Sequence, residues 1–485
     1  MKRREFLKNL AITAAAACAA PQSLAMKVCQ KKPNIIYIIA DDLGYGDLGC
    51  YGQKIVKTPN LDRIRAEGIK FTQHYSGSTV CAPSRCVLMT GQHTGHASVR
   101  GNGKWQPEGQ GPIAKDIPTV AELLKDAGYT TGAFGKWGLG GPGSGAEPND
   151  RGFDYWYGFN CQALAHNYYP DYLWKNRKKV MLEGNKGGKC GQFSHSLIAE
   201  EALNFIKRSK DKPFFAFMPF TIPHAELAAP KEAMDVYDGK IKETKPYRNP
   251  SSPYVAKGGY NAQAKPHTAF AAMVTLMDKN IGRIMALLKE LNIDDNTIVM
   301  FTSDNGPHLE GGADPNFFDS NGPLKGFKRD LYEGGIRAPM IARWPGRIKP
   351  NTQTDHISAF WDVLPTMCEI ANIKPSKNID GISFAPTMFG KKQKTHEYLY
   401  WEFHEQGGKQ AVRMGKWKGI RLRVFKNPNG PIELYNLETD IGEENNIADK
   451  HPDIVAKISR IMKEARVHND EWPFTARPKK KRKSK

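Results

Sequence analysis

Asp41-Asp42 and Asp304-Asn305 are pairs of hard oxygen donors, and each pair follows an apolar, β-branched run. Three carboxylates and an amide suit Ca²⁺ or Mg²⁺ rather than a thiophilic metal. Either pair alone reads better as a solvated turn. Two such pairs at the ends of buried strands do not, because unpaired carboxylates crowded there would be costly without a cation. A third segment, Cys81-Ala-Pro-Ser-Arg-Cys-Val-Leu-Met-Thr-Gly91, carries a different chemistry. Pro83 is tolerated in the first turn of a helix. That sets Cys81 at the helix N-terminus, where the dipole favours negative charge, with Arg85 one turn further on. A plain thiolate nucleophile is one reading of this arrangement. Lys136, His224 and Lys328 add groups able to meet an anion or move a proton. Lysine is commonly a solvated charge and a lone histidine a satisfied polar residue, but a position beyond a strand end favours a working role for these three.

The elements that must hold these groups repeat one construction. Asn34-Ile-Ile-Tyr-Ile-Ile-Ala40 has the pattern of a strand buried on both faces of a mainly parallel sheet, and it ends in Asp41. Residues 130–134 lead into Lys136, residues 213–218 lead towards His224, and residues 297–302 lead into Asp304. Helical periodicity intervenes at 120–127 and 269–291. The α/β alternation predicts a large mixed, mainly parallel sheet sandwiched by helices, with one shared pocket beyond the carboxyl ends of the strands. After Gly381 the pattern changes to short strand-like runs at 398–403, 410–414, 417–422 and 432–435, closed by an amphipathic helix over 454–466. The expected organisation is an export signal over 1–25, a catalytic domain over 26–389, a smaller antiparallel α+β domain over 390–472 and a basic tail over 473–485.

The string from Cys81 to Gly91 resembles the signature of the type I sulfatases of the alkaline phosphatase superfamily: Cys or Ser, any residue, Pro, Ser or Ala, Arg, and then Thr-Gly. In that family the cysteine is oxidised before folding to Cα-formylglycine. Other segments look similar too: Asp41-Asp42 with Gly44-Tyr45-Gly46-Asp47, Asp304-Asn305-Gly306, Gly135-Lys136-Trp137, Ile222-Pro223-His224, and Lys328 followed by Tyr332-Glu333-Gly334-Gly335. The resemblance implies an alkaline phosphatase-like fold and hydrolysis of a sulfate ester. It implies Ca²⁺ held by Asp41, Asp42, Asp304, Asn305 and the converted Cys81, with Arg85, Lys136, His224 and Lys328 around the sulfate. In the implied chemistry one hydroxyl of the hydrated aldehyde attacks sulfur, protonated His224 serves the departing sugar oxygen, and the second hydroxyl expels sulfate. One departure stands out. Where the family continues Trp-His-Leu-Gly after the lysine, this chain has Trp137-Gly138-Leu139-Gly140, so an imidazole credited with the second step is absent. His166 or a water is expected to replace it. Arg100, Asn102 and His308 are candidates to read the sugar, with ordinary structural roles as the alternative.

The chain has 485 residues, 40% hydrophobic and 25% charged, which excludes disordered, collagenous and disulfide-miniprotein classes. No apolar run approaches the roughly 20 residues of a membrane span. Lys2-Arg3-Arg4 ahead of an alanine-rich segment and Ser23-Leu24-Ala25 resembles a twin-arginine export signal, implying a periplasmic enzyme, with an N-terminal helix or a lipid anchor at Cys18 as alternatives. Losing residues 1–25 would lower the net charge from +20 to +17 and leave seven cysteines without a CxxC pair. The basic tail is either solvated or a tether for a polyanion, and export argues against nucleic acid. The expected partners are a sulfated carbohydrate, a formylglycine-generating maturase and the export machinery. Residues 160–174 look like bacterial polysaccharide sulfatases, with a galactose-type sugar expected. Trp105, Tyr155, Trp156, Tyr157, Tyr168, Tyr169 and Trp174 offer either sugar platforms or core packing. The rival readings are a phosphodiesterase or phosphonate hydrolase of the same superfamily, and a non-catalytic sulfated-glycan-binding protein.

Overall fold

The computed structural model describes residues 31–474. The expected export signal, Cys29 and nearly all of the basic tail lie outside the described residues. Eleven strands form one sheet: β1 (Asn34–Ala40), β2 (Ile69–Tyr75), β3 (Thr130–Lys136), β4 (Tyr155–Phe159), β5 (Tyr172–Lys175), β6 (Lys178–Met181), β7 (Phe214–Pro219), β8 (Thr297–Ser303), β9 (Arg337–Arg343), β10 (Thr352–Thr354) and β11 (Ser358–Ala359). The path runs β10-β2-β9-β8-β1-β7-β3-β4-β5-β6, with β11 beside β2. Its centre, β8-β1-β7-β3-β4, is parallel throughout, and antiparallel pairs flank it on both sides.

β1 explains why the sheet is a sandwich. Ile35, Tyr37 and Ile39 join one hydrophobic cluster while Ile36, Ile38 and Ala40 join another, so alternate side chains fill two cores. The helices Cys81–Thr90 and Val363–Ile370 cover the first face, and Ser194–Ser209 and Pro266–Glu290 cover the second. The expected mixed, mainly parallel sheet between helices is the one observed.

β12 (Leu399–Phe403), β13 (Lys409–Met414), β14 (Trp417–Leu422) and β15 (Ile432–Asn436) form a separate antiparallel sheet in sequential order. Period-two alternation gives it two buried faces. Leu399, Trp401 and Phe403 enter the core of the large sheet, while Tyr400, Val412 and Leu434 pack on the helix Pro452–Glu464. Trp401 Nε1 also donates to Ser76 O at 3.0 Å. The small sheet therefore differs from the large one in topology yet shares its hydrophobic core.

Candidate active site

The carboxyl ends of β1, β3, β7 and β8 converge on the groups singled out above. Beyond β1 the chain turns sharply at Asp42, whose φ of 64° lies in a region that costs a non-glycine residue roughly 1–2 kcal/mol. Asp42 N–H donates to Asp304 Oδ1 at 3.2 Å, which ties the end of β1 to the end of β8. At β3 the backbones close in further. A Cβ on Gly135 would lie 2.0 Å from Pro219 O, so only glycine lets β3 meet β7 where Lys136 leaves the sheet. The helix Cys81–Thr90 begins at the cysteine, as Pro83 predicts, with all ten residues buried.

These ends bring three cations and three carboxylates together. Lys136 Nζ donates to Asp41 Oδ2 at 2.6 Å, and Lys328 Nζ donates to Asp42 Oδ2 at 2.8 Å. Arg85 donates to Asp304 Oδ2 from Nε at 3.0 Å and from Nη2 at 2.8 Å, with Asp41 Oδ2 3.5 Å from Nη2. The argument that these carboxylates would be unpaired without a metal is thereby corrected: each has a cationic partner. A hard cation still fits the donor set. Asn305 Oδ1 is fully buried without a hydrogen-bond partner among the described residues, while its Nδ2 donates to Asp42 Oδ1 at 2.7 Å. Burial first, then the charges of Asp41 and Asp42, push the Asp304 carboxyl up to about 7 against the pull of Arg85. Ligand atoms of Asp41, Asp42, Cys81 and His224 lie within 4.8 Å of one another.

Cys81 Sγ donates to Asp41 Oδ1 at 3.3 Å. Burial and the Asp41 charge drive the thiol well above its usual range, and Lys136 and Lys328 do not reverse this. The plain thiolate reading is therefore disfavoured: the unmodified side chain is a buried, protonated thiol.

His224 also departs from expectation. Its Nδ1–H donates to Ala225 O, and its Nε2 faces Lys328 Nζ at 3.1 Å and Asp42 Oδ2 at 3.4 Å. Burial and the Lys328 charge hold the imidazole well below its ordinary range, so the resting ring is neutral and the proton sits on Lys328. His166 stacks on His224 with ring centroids 5.0 Å apart, and burial with the charges of Lys136 and Lys328 lowers it to about 3. His308 stacks on the same ring at 5.6 Å, with Nε2 3.2 Å from Pro223 O. Asn102 Oδ1 accepts from Ala82 N–H at 3.4 Å, beside Cys81.

Arg100 has a different place. Its guanidinium donates to Ala97 O, to Glu402 Oε1 at 2.9 Å and to Val467 O, and it is 1% exposed. Burial alone would raise the Glu402 carboxyl, but His404, Arg100 and Arg466 together hold it down at about 2. Arg100 thus ties the loop that follows the helix Cys81–Thr90 to the C-terminal sheet instead of reading substrate. Arg100→Leu is expected to lower unfolding stability by about 3 kcal/mol, because it removes one partner from a buried pair. Michaelis constants should stay within twofold in steady-state assays of the same variant, and a selective rise in KM would restore the substrate role.

The aromatic platforms are mostly core. Trp156, Tyr157, Tyr168 and Trp174 are buried, whereas Trp105, Tyr155 and Tyr169 are half-buried. Sequence reasoning missed Glu310, which neighbours His308 Nδ1 at 3.3 Å and pairs with Arg329, and Tyr260, whose ring meets His166 at 5.0 Å. It also missed the amides at Gly138. The Gln162 Nε2 atom, buried without a partner among the described residues, would stand 3.6 Å from a Cβ there, so a side chain at this position would meet a polar amide in ordinary contact. A polar pair flanking Cys161 was the only signal in the sequence.

The model of the sulfatase family matches residues 33–373, and that of the N-sulphoglucosamine sulphohydrolase C-terminal region matches 325–468. The N-acetylgalactosamine-6-O-sulfatase of Bacteroides thetaiotaomicron is 29% identical over 89% of this chain and 93% of its own length. The N-acetylgalactosamine-6-sulfatase of Canis lupus familiaris is 33% identical over 80% of this chain and 71% of its own. Among solved structures, Ps i-CgsB in complex with k-i-k-neocarrahexaose superposes with a TM-score of 0.76 at 30% identity, covering 90% of this chain and 92% of that one. A match of this extent, over the strands that carry Asp41, Lys136, His224 and Asp304, means that the chain belongs to the sulfatase family of sulfuric ester hydrolases.

Proposed function

We propose that this enzyme removes sulfate from a carbohydrate, using Cα-formylglycine formed from Cys81 and a Ca²⁺ ion held by Asp41, Asp42, Asp304, Asn305 and residue 81. The observation that carries the reading is Cys81 at a helix start, bonded to Asp41, with Arg85, Lys136 and Lys328 gathered around the same carboxylates. The relatives named N-acetylgalactosamine-6-O-sulfatase and N-acetylgalactosamine-6-sulfatase support a galactose-type sugar sulfated at the 6-position. Export remains part of the proposal, supported by Arg3-Arg4 and the alanine-rich segment that follows.

Held by Asp41, Asp42, Asp304 and Asn305, a Ca²⁺ ion would supply Lewis-acid polarisation of the sulfate, and residue 81 as hydrated formylglycine would supply the attacking hydroxyl and a second one for release. The chain's own residues do the rest. Lys136 and Arg85, oriented by Asp41 and Asp304, put fixed positive charge beside residue 81, where negative charge grows as the sulfuryl group transfers. Lys328 and His224 hold a proton between Nζ and Nε2 at 3.1 Å, and the departing sugar oxygen takes it from that pair. The Nδ1–H bond to Ala225 O fixes the ring so that Nε2 stays on the Lys328 side.

The test uses full-length protein produced with a formylglycine-generating maturase. Sulfate release from N-acetylgalactosamine 6-sulfate should exceed turnover of an aryl phosphodiester, and exhaustive chelation should cut it on the order of 10²-fold or more, reversibly with added Ca²⁺. Indifference to chelation, or faster phosphodiester cleavage, would refute the proposal.

A further inference from the structure

The C-terminal sheet contains a cavity of about 430 Å³, and its lining includes none of the catalytic residues. It opens between β13, β14, the end of the helix Pro452–Glu464 and the segment reaching Phe474. Arg421 of β14 lines it and is 3% exposed. Its N–H groups go to Gly430 O at 3.0 Å, Ser459 Oγ at 2.9 Å and Gln410 Oε1 at 3.5 Å, all neutral acceptors. Seven arginines are buried among the described residues, and the other six each pair with a carboxylate, as Arg85 does with Asp304 and Arg413 with Glu333. Arg421 alone has none, and a buried cation without a counter-charge is costly.

The rest of the lining sharpens the mismatch. Arg466 gives its Nε to Glu402 at 2.9 Å, but its Nη2 is buried without a partner among the described residues. Glu402 is already shared with Arg100 and His404. Lys463 adds to the basic side, His468 is bonded to Asp470, and no acidic residue is among the described residues that line the cavity. Val424, Met462 and Phe474 add apolar lining, and the Phe474 ring lies 4.8 Å from the Arg466 guanidinium. One guanidinium without a counter-charge and a second with an unpartnered Nη2, beside an aromatic face, match a sugar ring that bears a sulfate. The volume falls within the range of small-molecule sites.

We propose that this cavity is a second, non-catalytic site for a sulfated sugar, with Arg421 and Arg466 on the sulfate and Phe474 against the ring. It deepens the proposed function, since it rests on a sulfated glycan as substrate. It also lies on the sheet that supports the catalytic loop: Lys409 Nζ of β13 donates to Arg329 O at 2.7 Å and to Asp330 Oδ1 at 3.0 Å, next to Lys328.

The test titrates full-length protein with sucrose octasulfate and, separately, with inorganic sulfate by calorimetry, alongside turnover of a small aryl sulfate. Arg421→Met should weaken octasulfate binding at least tenfold while aryl sulfate turnover stays within twofold. Lys463→Glu, on the exposed rim, should weaken it in the same direction and serves if Arg421→Met fails to fold. Inorganic sulfate bound as tightly as octasulfate, and lost in the Arg421 variant, would keep the anion site but overturn the sugar assignment. Unchanged octasulfate binding in the folded variants would overturn the site. Absence of aryl sulfate turnover in the wild type would refute the catalytic proposal and leave the binding result standing.

Discussion

Cys81→Ala is expected to abolish sulfate release, with a loss on the order of 10⁶-fold, the scale seen when a catalytic nucleophile is removed outright. The fold should survive. Cys81 makes one side-chain hydrogen bond, to Asp41, and Asp41 keeps the shorter bond from Lys136 at 2.6 Å. Alanine is also the residue best suited to a helix. Circular dichroism should therefore be unchanged while sulfate production, followed by ion chromatography, disappears. Wild-type Cys81 from a host without the maturase should be nearly as inactive, because the buried thiol is held protonated and has no route to become a nucleophile in place. Peptide mass spectrometry across residue 81 separates the two preparations. Should the alanine variant keep the wild-type rate, or the unconverted thiol turn over fully, residue 81 would not be the attacking group and the mechanism would fail at its first step.

Local signals made the centre legible. A β-branched run followed at once by charged residues reports a buried strand and its carboxyl end together, so Asp41, Lys136 and Asp304 could be placed before the sheet order was known. Pro83 and the glycine after Thr90 likewise bound one helix in the sequence itself. What stayed hidden depends on pairing across the chain. Arg100 sits near the catalytic segments in sequence, yet its charge is taken by Glu402 on another sheet, and nothing within a short window signals that bond. The aromatic residues of β4 failed for a related reason. Period-two alternation cannot say whether a ring faces a core or a cleft when both faces of a sheet are covered, and here Trp156 is buried in the core on one face and Tyr157 in the core on the other. Protonation was hidden as well, since His224 is held neutral by burial and by the charge of Lys328, 104 residues away.

That last pair carries the second large effect. His224→Ala should slow cleavage of a sugar sulfate by about 10²- to 10⁴-fold, the usual worth of general acid help, yet slow an aryl sulfate with a good leaving group far less. The sign follows from where the proton is needed: a phenolate departs without protonation, whereas a sugar alkoxide does not. Lys328→Ala should show the same dependence on leaving group and a further loss on both substrates, because Lys328 also supplies charge and holds Asp42 at 2.8 Å. Since the two residues handle one proton across a 3.1 Å contact, the double variant should be little worse on sugar sulfate than Lys328→Ala alone. The measurement is kcat/KM for all three variants against leaving groups of graded acidity. A flat profile for His224→Ala would assign the ring to binding, and full additivity in the double variant would mean that the two side chains act on different steps.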